Sequence, residues 1–124
     1  MTLLVAIDSS HTADPVVAHA VAFARAAGLQ LVVARVLDQM LDYVGGPDTS
    51  EAVAASVRAG WEDDMRHLLE GHRATGTARV TLMRQNERVH DAIVRAAAEA
   101  GAKAIAIGSH GASVLRHAVL GSVA

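Results

Sequence analysis

Apolar and polar positions along the chain switch between two periods. TLLVAID, near the start, carries a continuous apolar run from Leu3 to Ile7 that stops at Asp8. Such a run suits a strand buried on both faces, as in parallel sheets. In ADPVVAHAVAFARAAG the period lengthens, and Val17, Val21 and Ala24 fall on one helical face. Asp14 is the expected N-cap of this helix, Pro15 its first residue and Gly28 its stop. LQLVVARV reads as a second buried strand, and Leu37 to Asp48, punctuated by Gly45, Gly46 and Pro47, as a loop.

A longer helix is expected from near Asp48 or Ser50, with Val53, Val57, Trp61, Met65 and Leu68 as its apolar stripe and Gly60 as an interruption. TARVTLMR reads as the third strand. NERVHDAIVRAAAEAG reads as the third helix, with Val89, Ile93, Ala96 and Ala100 on one face, and AKAIAIG as the fourth strand. Strict alternation of strand and helix predicts an α/β fold with an open parallel doubly wound sheet and right-handed crossovers.

Composition narrows the picture. The 124 residues fit one domain over 1–124. Aromatics are 2% against 52% hydrophobic residues, so the core must be built from Val, Leu, Ile and Ala. A formal net charge of -2 offers no attraction to nucleic acid or to an anionic membrane, and neither is expected as partner. The absence of cysteine excludes disulfides, thiolate catalysis and zinc–thiolate sites, and fits a reducing compartment. The apolar run at the N-terminus is too short for a secretion signal, and no run approaches the ~18 residues of a membrane span. The expected location is cytoplasmic.

The segment GSHGASVLRHAVLGS, from Gly108 to Ser122, carries the chemistry. Glycine permits close approach of backbone to a ligand and tolerates positive φ. Unpaired amides at a helix start bind anions. Gly108 and Gly111 would bracket a turn into a short helix, and Gly121 with Ser122 would open a second helix start. Two such amide clusters suit two parts of a polyphosphate. The full Gly-x2-Gly-x9-Gly-[Ser/Thr] pattern arises by chance in a chain this long on the order of one time in two hundred. In open parallel sheets, ligands collect at the carboxyl ends of the strands where strand order reverses. Asp8 and Gly108 each end a strand, and Asp8 is suited to accept hydrogen bonds from a ribose or a base.

VAID, VVARVLD, AIAIGSHG and LGSVA together resemble the nucleotide-binding kind of universal stress protein. The resemblance covers nearly the whole chain. It implies a Rossmann-like sheet of the adenine nucleotide alpha hydrolase type, whose five strands run 3-2-1-4-5 in relatives. Relatives continue past the position of Ala124 through a helix and a fifth strand, so the order expected here is 3-2-1-4, with the usual fifth strand absent from this sequence. The resemblance also implies a stress-response regulator that binds ATP or another adenine nucleotide with Mg or Mn, forms a homodimer or other homo-oligomer, and has in addition an unknown protein partner.

Carried over by position, Asp8 would contact adenine or ribose, with Ala6 and Ile7 lining the pocket beside it. Val36 would hold the adenine through its backbone, and Gly108 would lie near the ribose. Gly111, Gly121, Ser122 and Val123 would surround the phosphates, with Ser109, His110 and the residues to Ser113 forming the loop over them. Two departures stand out. Ser9-Ser10 replaces the Gly-Ser common after the aspartate, and RQNERVHD replaces the Gly and Pro common after the third strand.

No nucleophile elbow, Walker lysine or dinucleotide Gly-x-Gly-x-x-Gly is present. His67, His72 and His90 sit among charged neighbours and read as surface residues; His11 and His19 lie in or near the first helix, and His117 reads as solvated. No histidine makes a His-x-x-x-His pair, so no protein metal site is expected. Without a dedicated base, no catalytic residue is assigned, and the chain reads as a binding protein with at most slow ATPase activity. The alternatives are a slow ATP hydrolase or phosphotransferase, with His110, Ser113 or Asp38 positioning water, and an interaction module that binds no nucleotide.

Overall fold

The structure, a computed structural model, describes residues 1–8, 13–38 and 51–108. In chain order it comprises β1 (Thr2–Ile7), α1 (Ala13–Ala27), β2 (Gln30–Leu37), α2 (Glu51–Gly71), β3 (Thr77–Leu82), α3 (Val89–Glu99) and β4 (Ala102–Ile107). The four strands form one parallel sheet, as the alternating pattern predicts, in the order β3-β2-β1-β4 that the resemblance implies.

Handedness explains the layers. The steps from β1 to β2 and from β2 to β3 move the same way across the sheet, so right-handed crossovers put α1 and α2 on one face. The step from β3 to β4 returns across the sheet and puts α3 on the other. The cores follow this division. Leu3, Val5, Leu31 and Val33 pack with Val17, Val21, Met65 and Leu69 of α1 and α2. Leu4, Ala6 and Ala34 pack with Ile93, Ala96 and Ala97 of α3. The apolar run of β1 is thus divided residue by residue between two cores. Leu4 and Val5 are fully buried, each stabilising the fold by about 1.5–3 kcal/mol.

The helix stops are specific. Gly28 has φ +68; its amide donates to the Arg25 carbonyl and that of Leu29 to the Ala24 carbonyl, closing a Schellman motif. Gly101 has φ +69 after α3. The end of α2 uses the same motif without glycine: Arg73 has φ 52, its amide donates to Glu70 O and that of Ala74 to Leu69 O. The Arg25 guanidinium holds this turn by donating to the carbonyls of His72 (3.3 Å) and Arg73 (2.6 Å).

Four local expectations need correction. Asp14 is not a cap: the helix already includes Ala13, so Asp14 lies in its first turn, where its carboxylate meets His72 Nε2 at 2.8 Å. Pro15 is consequently further inside the first turn, where its missing N–H still costs no helical bond. The second strand runs one residue beyond Val36, because Leu37 is fully buried. In α3 the buried face is Ala92, Ile93, Ala96 and Ala97, with Ala100 serving as the C-cap.

Candidate functional site at the carboxyl ends of the strands

The central pair of strands sets the site. β1 lies between β2 and β4, with Ile7 level with Arg35 and Ala6 level with Ile107. The chain leaves β1 at Asp8 and β4 at Gly108, at the same edge of the sheet. From β1 the chain goes to β2 on one side, and β4 arrives on the other. The strand order therefore reverses between β1 and β4, and the crevice opens there.

Each described residue of the expected site has a place. Ala6 is buried against the α3 core, and Ile7 packs, half-buried, toward α1. Asp8 is half-buried at the end of β1. Val36 faces the α3 side near the end of β2, level with Thr81 of β3. Gly108 is half-buried just past β4. The fold thus brings Ala6, Ile7, Asp8, Val36 and Gly108 to one end of three adjacent strands. Ser109, His110, Gly111, Gly121, Ser122 and Val123 lie outside the described residues, as do His11, Ser113 and His117. Asp38 follows β2, one strand further from β4 than Asp8.

Gly108 has a steric reason to be glycine. Its φ is not left-handed, yet a Cβ there would lie 2.7 Å from Cγ2 of Val16 on α1. The bare backbone lets α1 close against the end of β4. Beside this contact runs a groove of about 460 Å³ between α1 and β4, which Val16, His19, Phe23, Ala106 and Gly108 help to line.

The rim on the β2–β3 side is braced by charges that sequence reasoning did not single out. Met83 N donates to Leu37 O at 2.9 Å, carrying the ladder past the end of β3. Asn86 turns the chain with φ 64. Glu87 then reaches back: one carboxylate oxygen accepts from Arg84 N (3.0 Å) and from Arg95 Nη2 (2.8 Å), the other from Arg95 Nε (2.9 Å). The same Arg95 Nη2 donates to Leu82 O at 2.8 Å. The two side chains are only 12% and 19% exposed, so this forked pair is well shielded. The Arg95 bonds, with that of the Arg84 amide, hold the Glu87 carboxyl down at a pKa of about 2. The signal in the sequence was Glu87 and Arg95, eight apart across a loop and a helix start, a spacing no local rule reads.

On the other face, the Arg35 guanidinium stacks 3.4 Å from the centre of the Trp61 ring, joining the end of β2 to α2. Among the described residues, no group of three His, Asp or Glu side chains is placed to hold a metal ion. None of the described helices is long and apolar enough to cross a membrane.

Comparison with known proteins gives a consistent result. A sequence profile described as the universal stress protein family matches residues 1–124. Among solved structures, a universal stress family protein from Burkholderia pseudomallei is 29% identical, over 95% of this chain and 89% of that one, with a TM-score of 0.67. The universal stress protein from Archaeoglobus fulgidus, solved in complex with dAMP, is 28% identical, over 98% and 91% of the two chains, also with a TM-score of 0.67. A universal stress protein in complex with cAMP shares the fold at 21% identity and a TM-score of 0.68, over 99% of this chain and 86% of that one. The comparison with curated proteins finds no match.

Proposed function

The chain belongs to the universal stress protein family, and on that premise we propose that it is an adenine-nucleotide-binding regulatory protein of the stress response. The observation that carries this reading is the adjacency of β1 and β4, which sets Asp8 and Gly108 at one crevice just before the Gly111 and Gly121-Ser122 pattern. Support comes from the Archaeoglobus fulgidus relative, solved in complex with dAMP.

In this reading one domain over 1–124 carries the site. The base lies against Ala6, Ile7 and the Val36 backbone, and Asp8 accepts hydrogen bonds from base or ribose. Gly108 lies by the ribose, and Ser109, His110, Gly111, Gly121, Ser122 and Val123 surround the phosphates. ATP is the ligand proposed first. An Mg or Mn ion would arrive with it, held on phosphate oxygens and water. The protein acts as a cytoplasmic homodimer whose contacts change with occupancy.

Calorimetric titration with ATP, AMP and GTP tests the reading. Saturable binding of the adenine nucleotides in preference to GTP supports it, and no binding of any of them overturns it. Single-turnover release of phosphate from bound ATP separates a binding protein, which releases none in minutes, from a slow hydrolase.

A further inference from the structure

The carboxyl edge of the sheet extends from β4 to β3, and the braced loop after β3 adjoins the end of β2 on that edge. A continuous path of bonds runs from that loop to the strand that would meet the base. Val36 and Leu37 end β2; Leu37 O accepts from Met83 N; the next amide, Arg84 N, is held by Glu87; and Glu87 is held by Arg95, which also ties back to Leu82 O. Relatives of the resemblance commonly turn here with Gly and Pro, and a proline's fixed φ stiffens a loop locally. This chain has RQNERVHD instead, and α3 begins after Arg88, whose side chain makes no capping bond. The stiffness must come from elsewhere, and the forked pair supplies it.

We propose that Glu87 and Arg95 are positioning residues for base recognition. They touch no ligand, but they hold the loop from Met83 to Arg88 in the one conformation that keeps the β2 end and its rim shaped for a purine base. The inference rests on the nucleotide-binding reading above. Its geometry is directional. The clamp sits on the β3 side of β2, with β2 and β1 between it and β4, where the chain turns toward the glycine pattern. Loosening it should therefore weaken contacts to the base and leave contacts to phosphate alone.

Arg95→Met keeps the side-chain stem and removes the fork; Glu87→Gln is the milder companion should the first variant fold poorly. Each is measured in the full chain, well below its melting temperature, against AMP and against inorganic tripolyphosphate. If the competent loop conformation drops from nearly full to about one tenth occupancy, AMP affinity falls about tenfold. Tripolyphosphate affinity is expected to change by less than about twofold, and Arg95→Lys, which keeps a cation beside Glu87, recovers part of the AMP loss. Unchanged AMP affinity in both variants overturns the proposal while leaving the nucleotide reading intact. Equal loss for both ligands also overturns it, since that marks general destabilisation. Failure of the parent chain to bind AMP removes the nucleotide reading itself and the proposal with it.

Discussion

Gly108, at the end of β4, and Val16, on α1, approach so closely that a single added methyl would overlap: a Cβ on Gly108 would stand 2.7 Å from Val16 Cγ2. The glycine is demanded by packing between the helix and the strand end, independently of any ligand. Gly108→Ala should destabilise the chain by about 1–3 kcal/mol through overpacking. Val16→Ala in the same chain should return part of that loss, with a coupling on the order of 1 kcal/mol, since the two residues are in contact. Chemical denaturation of the two single variants and the double variant reads the coupling directly; strict additivity would contradict the contact.

The Glu87–Arg95 pair predicts an acid limb. With the folded carboxyl at about 2 and the unfolded one near 4.5, the folded state binds this proton less readily. Its contribution is complete above about pH 5 and fades as pH falls from 4.5 toward 2. Melting temperatures of the parent and Glu87→Gln should therefore differ most at neutral pH and converge toward pH 2. A constant gap across that range would show that the carboxylate charge is not what the loop uses.

Arg73 adopts φ 52 at the stop of α2, a conformation that a residue with a Cβ enters at a cost of roughly 1–2 kcal/mol. Arg73→Gly should stabilise the chain by about 1 kcal/mol, because the carbonyl held by Arg25 belongs to the backbone and survives the change. Urea unfolding reads the sign.

Gly60 lies inside α2 with open space where a side chain would go. Gly60→Ala should add about 0.5–1 kcal/mol by helix propensity alone. Destabilisation instead would place an unseen contact at that position.

What the sequence disclosed was mainly periodic. Leu3 to Ile7 read as a doubly buried strand because both cores draw on it, Leu3 and Val5 for one and Leu4 and Ala6 for the other. The stop at Gly28 was legible because glycine signals positive φ. The stop at Arg73 was not, since its motif is closed by backbone bonds and by Arg25, 48 residues away. Asp14 looked like a cap because capping is a local rule, but its partner is His72, distant in sequence. Asp8 and Gly108 were legible as strand ends, whereas Ala6, Ile7 and Val36, and the neighbouring of β1 and β4, came from the family resemblance. The Val16 contact and the Glu87–Arg95 brace were not legible, because both are made by tertiary packing across different elements.

The central claim is that the crevice binds adenine nucleotide, and thermal melting tests it most directly. The full 124-residue chain and its Gly111→Val variant are melted with Mg-ATP, with Mg-GTP and without nucleotide. At a hundredfold excess over the dissociation constant, binding to the native state should add about 2.7 kcal/mol, or roughly ten degrees in a chain of this size. The account predicts that shift with ATP, a smaller one with GTP, and none in Gly111→Val. An ATP melt that overlays the nucleotide-free melt in the parent chain would contradict it.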